Sequence, residues 1–291
     1  MITVRDIKFN LTDETSPHWC NDYEFSVLAN AIFILLPWLE PYFIHNVREA
    51  AKTIDGAQLN DDAKAFIGQE VRHAQQHRRY NQILARRYPE LPAREERIRL
   101  RLDASRRKDP LSTRLAYTAG FEALTFHFLA YLFSRPERWF AGADPNVLAM
   151  FAWHAAEEIE HKTVAFDVLQ RVDEGYVTRV RGFASAVSET LSDIFSLAWY
   201  MMKVDERTDR HSVRRMGKLL LTWSREFPPT MRPYLGRGYR PEHHPDPPSL
   251  IRWVAQHRAG MDLRTLSASA LNAMARLEGP PGRAGSAHVA N

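Results

Sequence analysis

Residues 25–47 read FSVLANAIFILLPWLEPYFIHNV, and Glu40 is the only acidic or basic side chain among them. Residues 115–134, LAYTAGFEALTFHFLAYLFS, repeat the situation with Glu122. An ionised carboxylate left alone in an apolar core is heavily penalised, so each glutamate must be neutralised, paired or bound to a metal ion. Neither stretch makes a convincing membrane span. The first is interrupted by Asn30, Pro37, Glu40 and Pro41 and has no unbroken apolar run of about 18 residues.

Working outward, each lone glutamate is followed, one helix and one turn later, by a Glu-x-x-His pair. Glu70-Val-Arg-His73 follows Glu40, and Glu158-Ile-Glu-His161 follows Glu122. Positions i and i+3 share a helix face, so each pair can aim a carboxylate and an imidazole at one point. With 19 Glu and 12 His in 291 residues, about one such pair is expected by chance. The weight therefore lies in the order Glu…ExxH, Glu…ExxH on four long helices. Four carboxylates facing one another would repel unless cations lay between them, and two divalent ions would balance their charge.

The rest of the sequence is compatible with an all-α chain. The predicted helices are Glu24–Ile54 (kinked or restarted near Pro37 and Pro41), Asp61–Tyr88, Arg94–Ala104, Leu111–Phe133, Pro145–Gln170, Val177–Val204, Ser212–Trp223 and a weaker one near Leu263–Leu277, with Asp61 and Asp62 capping or charging the start of the second. Residues 227–248, FPPTMRPYLGRGYRPEHHPDPP, read as a non-helical, Pro-rich segment packed on the bundle. The expected organisation is one helical domain over 1–277, its ligand-bearing bundle at about 24–172, and a disordered tail at 278–291.

Composition narrows the chemistry. One cysteine, Cys20, excludes a disulfide scaffold and a paired-thiolate zinc site. A net charge of +4 gives no case for nucleic acid. No nucleotide-binding glycine loop, GxSxG or HExxH motif is present. The N-terminus has early charges and no apolar run ahead of a cleavage signal, which predicts a cytoplasmic protein without an integral membrane segment.

On this order of motifs, over roughly residues 24–170, the chain resembles the ferritin-like di-metal carboxylate superfamily. That resemblance implies a four-helix bundle with additional C-terminal helices and a Pro-rich wrapped segment, and makes Glu40, Glu70, His73, Glu122, Glu158 and His161 the metal ligands. The chain is also similar to a bacterial family labelled predicted metal-dependent hydrolase, through the HxxEExEH stretch His154–His161 and a Pro- and His-rich C-terminal loop. In many relatives an Asp before each ExxH glutamate orients the opposite histidine. Here those positions are Gln69 and Glu157; Glu157 can accept such a bond, whereas Gln69 departs from the pattern.

Further candidates for the chemistry are Glu157, His77 and His154. Each of the two histidines lies one turn from a proposed ligand and reads as an extra ligand, a base or a hydrogen-bonded bundle histidine. His243-His244 reads as a solvated loop pair or as a cap on the site, and Asp167 and Glu160 as surface or capping charges. The ligand set suits two Fe ions, with Mn or a mixed pair as alternatives. Trp38, Tyr42, Phe43, Phe121, Phe126, Phe128, Trp153 and Phe166 would line an apolar substrate tunnel or simply pack the core.

The primary expectation is a di-iron oxygenase or oxidase acting with O2 on a small, partly apolar substrate. The alternatives are a hydrolase using a metal-activated water and a non-catalytic iron-binding bundle. The basic run at 86–108 reads as a solvated helix or as a docking face for an acidic electron-transfer protein. A homodimer is the expected alternative to a monomer.

Overall fold

Asp22 sits just ahead of the first apolar segment, and its side chain accepts from the Phe25 amide at 2.9 Å. This caps α1 (Tyr23–Ala50). The computed structural model describes residues 2–264 together with Ser267, Ser269, Ala270, Leu271 and Ala273. Contrary to the expected kink or restart, α1 runs unbroken through Pro37 and Pro41. Pro41 has no N–H for the Pro37 carbonyl, and Arg78 of α2 (Ala57–Arg87) donates to that carbonyl at 3.4 Å. Asn81, on the same helix, donates to the Ile34 carbonyl at 3.3 Å. Side chains of α2 thus partner α1 carbonyls around the prolines, and Glu40 stays directed into the core.

α2 begins at Ala57 after Gly56, whose φ of +118° suits glycine, so Asp61 and Asp62 fall in its second turn and do not cap it. α3 (Leu91–Lys108) carries the basic run, and several of its arginines are engaged in ion pairs: Arg99 with Glu96 and Asp103, Arg101 with Glu189 and Asp193. α4 (Leu111–Phe133) matches the sequence expectation, and α5 is a single turn at Pro136–Trp139.

The helix predicted over Pro145–Gln170 is instead two. α6 (Pro145–His161) starts under an Asp144 cap and stops after His161; α7 (Val164–Val172) resumes after Lys162 and Thr163. The Lys162 amine donates to the His244 carbonyl at 2.8 Å and pairs with Asp246 at 2.6 Å. That ties the C-terminal segment to the end of α6. α1, α2, α4 and the α6–α7 pair pack around one apolar core, with α8 (Tyr176–Val204) laid across α1 and α4.

α9 (Arg210–Glu226) follows, and then the Pro-rich segment departs from its non-helical reading. It holds a helical turn, α10 (Pro228–Met231), 3-10 turns at Arg232–Leu235 and Pro241–His243, and then α11 (Pro248–Arg258), a helix the sequence reading did not place. The buried Arg179 anchors the wrap by donating to the Tyr234 carbonyl and, at 2.7 Å, to that of Gly236. The helix expected near Leu263–Leu277 falls largely outside the described residues, and the tail at 278–291 entirely so.

Among the described residues there is no strand, so the all-α class holds. One helix among them, α1, is long and apolar enough to cross a membrane, and 83% of that window is buried inside the protein.

α8 approaches α4 so closely that only glycine fits at the crossing. A Cβ at Gly182 would stand 2.3 Å from the Ala116 carbonyl carbon, and one at Gly120 would stand 2.7 Å from Phe183 Cα. Gly182→Ala is expected to force the helices apart and cost about 1–3 kcal/mol. Gly217→Ala, on a helix face with open space around it, is expected to gain up to about 1 kcal/mol. Thermal unfolding followed by circular dichroism compares the two, and equal effects would contradict the close crossing.

Candidate metal centre

The six residues named as ligands from the sequence converge from four helices: Glu40 from α1, Glu70 and His73 from α2, Glu122 from α4, and Glu158 and His161 from α6. Each is at most 4% exposed. Their donor atoms, with those of His154, fall into two groups, within each of which they lie within 4.8 Å of one another. Glu40, His73 and His154 form one, and Glu70, Glu122, Glu158 and His161 the other. His161 Nε2 stands 3.3 Å from Glu122, 3.4 Å from Glu70 and 3.4 Å from Glu158. His73 Nδ1 stands 3.3 Å from Glu70 and 3.9 Å from Glu158. Glu70 and Glu158 therefore face both histidines and sit between the groups.

The inward-facing atoms lack hydrogen-bond partners. Both Glu40 oxygens, one oxygen each of Glu70, Glu122 and Glu158, His73 Nδ1 and His161 Nε2 are buried and unpartnered. Native cores rarely tolerate so many orphaned polar atoms together, and oxygen and imidazole donors in this number are what a pair of divalent first-row metal ions requires. The residues present thus fit a dinuclear metal centre.

The opposite edge of each ring is fixed. His73 Nε2 donates to Glu157 Oε2 at 3.0 Å, and His161 Nδ1 donates to the Gln69 side-chain oxygen at 2.8 Å. Carboxylate and amide oxygens only accept here, so each ring nitrogen facing outward carries a proton, and the inward nitrogen is the one whose proton a metal ion would displace. Gln69, which departs from the expected acidic residue, still makes the orienting contact. Its amide nitrogen donates at 3.0 Å both to the Thr3 carbonyl and to Glu160 Oε2.

Arg5 closes the network, 3.1 Å from Glu157 and 2.7 Å from Glu160. Glu160 is consequently no surface charge: Arg5 outweighs the burial that opposes ionisation and holds its carboxyl below the usual range. Sequence reasoning missed Arg5 because it stands in an N-terminal segment without regular secondary structure, far from any motif. The alternation of TVRDIKFNL was the one hint that this segment packs against something.

His77 and His154 form a second chain. His77 Nε2 lies 2.7 Å from His154 Nδ1, and His154 Nε2 lies 3.0 Å from Glu158. Burial, reinforced by neighbouring imidazoles, pushes both pKa values down. His154 also lines an apolar cavity of about 120 Å³ between α1, α4, α8 and α9. Its other walls include Phe33, Phe121, Phe151, Ile194 and Trp223, and no charged side chain lines it.

Of the aromatics considered for a tunnel, Phe121 and Phe128 line this cavity, while Trp153 packs on His73 with ring centres 4.8 Å apart. Trp38 instead meets Arg78, and Phe126 and Phe166 pack beside His127 and Tyr239. His243 is exposed, and His244 packs on His127 at 4.6 Å. Neither belongs to the clustered donor groups.

Without metal, the cluster holds protons. Burial and the neighbouring Glu70 carboxylate push Glu40 well above its ordinary value, and burial with Glu158 and Glu70 pushes Glu122 up to about 8. Burial disfavours charged His73 and His161, but the carboxylates around them outweigh it and hold both well above the usual imidazole value. All four groups bind protons more tightly folded than unfolded, so their contribution to metal-free stability falls as pH rises from about 5 to 8, while the depressed His77 and His154 act in the opposite direction below 6.5.

Metal binding needs the same groups deprotonated. The gain in Tm on adding Mn²⁺ or Fe²⁺ is therefore expected to grow across that interval. Scanning calorimetry with and without metal checks this, and a pH-independent gain would contradict it. Arg5→Met, which leaves Glu157 and Glu160 without their counter-ion, is expected to weaken metal binding by about 10–100-fold, read by competitive chelator titration.

A family model described as predicted metal-dependent hydrolase matches residues 3–247. No curated protein and no solved structure is a match. The matched span contains both buried donor groups and the wrapped segment as far as Pro247, and the chain belongs to the predicted metal-dependent hydrolase family.

Proposed function

We propose that the chain is a hydrolase that uses a dinuclear metal centre on a substrate with an apolar portion. The observation that carries this reading is the contact between the two donor groups and the charge-free cavity, made through His154. In this proposal Glu40, Glu70, His73, Glu122, Glu158 and His161 would hold the ions. When bound, such a pair supplies Lewis acidity and lowers the pKa of a bound water or, if it is iron, supplies electrons to O2.

The protein's own residues do the remaining work. Glu157 and Gln69 keep the two ligand histidines in the tautomer that presents a lone pair inward. The cavity walls bind the apolar part of the substrate and keep bulk water out. His154 stands between the cavity and Glu158 with Nε2 on that carboxylate and Nδ1 2.7 Å from His77, so the two histidines orient Glu158 and form the wall between it and the cavity.

An oxidative reaction is the second reading, and the donor set favours it. Four carboxylates with imidazoles and no thiolate suit iron, and the cavity wall offers no cation or acid for a polar transition state. One comparison separates the two. Protein reconstituted with Fe, Mn or Zn is offered aryl esters of increasing acyl length with and without O2. Hydrolysis is expected to proceed without O2, with Mn or Zn sustaining it.

Ile194→Phe, which shrinks the cavity, is expected to raise KM several-fold for the longer esters while metal content stays unchanged. O2 uptake by the ferrous protein with no anaerobic ester turnover would select the oxidative reading.

A further inference from the structure

The cavity opens between α8 and α9. Leu191 of α8 lines it and is 45% exposed, and Trp223 of α9 and Phe227 just beyond that helix line it from the other side. From Leu191 an apolar stripe continues along the outer face of α8 at helical spacing through Phe195 and Trp199, both 45% exposed. Val213 and Leu221 are exposed on α9 at 42% and 49%. Large apolar side chains left in water in this number mark a contact surface.

The surrounding charge says with what. α9 carries Arg210, Arg214, Arg215, Lys218 and Arg225 against one acid, Glu226, which is held by Arg135 and Arg138. Among the described residues Arg210, Arg214, Lys218 and Arg225 are exposed and make no ion pair. Lys203 extends the cationic border of α8 beside Trp199, 5.7 Å from its ring. The exposed acids of the hairpin, Glu206 and Asp209, lie at its turn, away from Leu191. A second copy of this chain in a two-fold contact would set these cations against themselves. An anionic lipid surface satisfies both the stripe and its rim, as it does for basic amphipathic helices that lie in the interface.

We infer that the α8–α9 hairpin docks on an anionic membrane surface, so that an apolar substrate chain enters the cavity at Leu191 directly from the lipid. The route of the substrate rests on the proposed function, whereas docking does not. The cavity, of about 120 Å³, is comparable with the roughly 150 Å³ engineered cavity that holds benzene. It therefore takes the end of a chain rather than a whole lipid. The hairpin supplies apolar insertion and cationic attraction together, the two signals that stable surface attachment requires.

Sedimentation of the full chain with vesicles tests docking without metal or turnover. The protein is expected to sediment with phosphatidylcholine–phosphatidylglycerol vesicles, to be released by high salt, and to stay in solution with phosphatidylcholine alone. Arg214→Gln/Lys218→Gln and Phe195→Ser/Trp199→Ser change only exposed side chains, and circular dichroism verifies their fold. Each pair is expected to weaken binding about tenfold or more.

Unchanged binding of either double variant, or equal binding to both vesicle types, would overturn the inference. So would a dimer in light scattering that the Phe195→Ser/Trp199→Ser variant abolishes, since the stripe would then belong to a second copy. Failure of ester hydrolysis alone would count against the proposed function and leave docking standing.

Discussion

Four glutamates, Glu40, Glu70, Glu122 and Glu158, converge in an apolar core with two imidazoles between them. Two carboxylates at about 4 Å repel by about 4 kcal/mol even at an effective dielectric of 20. A few such pairs would consume the 5–15 kcal/mol by which a domain is stable. The helices that bring the glutamates together therefore need a neutralising partner inside the core. Protons can serve, as the raised Glu40 and Glu122 show. Protons alone, however, leave oxygens and ring nitrogens without partners. Divalent cations would meet both demands at once, and so the bundle's packing and its chemistry cannot be separated.

The support behind the histidines is lopsided. His73 leans on an ionisable group, Glu157, and His161 on a neutral amide, Gln69. A carboxylate behind a ligand histidine raises its basicity more than an amide does, so the two metal positions would differ electronically although the motifs repeat. Arg5 offsets part of the difference by engaging Glu157 and, through Glu160, the Gln69 amide. The N-terminal segment thus joins both halves of the centre. It is itself held along α2, where Gln76 donates to the Ile7 carbonyl and Arg79 to those of Phe9 and Leu11.

What the sequence made legible follows from local rules. The helical periodicity, the two Glu-x-x-His faces and the cost of a lone buried carboxylate need no tertiary information, and they placed the converging residues. The failures share a cause. The unbroken α1 is accompanied by Arg78 partnering, from another helix, the Pro37 carbonyl that Pro41 leaves free. The break after His161 coincides with Lys162 reaching for His244 and Asp246, more than eighty residues on. The network of Arg5, Gln69 and Glu160 spans three elements. Proline and glutamine in a sequence carry their local preferences only, and a partner supplied from elsewhere in the fold reverses the reading.

Access follows from the same packing. Phe66 packs on His161 and Trp153 on His73, each with ring centres 4.8 Å apart, and the N-terminal segment seals the face behind them. The Pro-rich segment closes over the end of α6. The cavity beside His154 is the apolar space that reaches both the donor groups and the exposed α8–α9 surface. A charged substrate entering it would shed its hydration with no ion pair along the wall to replace it, a penalty of several kcal/mol. An apolar chain entering there gains roughly 0.8 kcal/mol for each methylene removed from water. Under the proposed function the wall would select for chain length before any group reached the metal ions, and specificity would reside in the cavity walls rather than in the residues that would hold the ions.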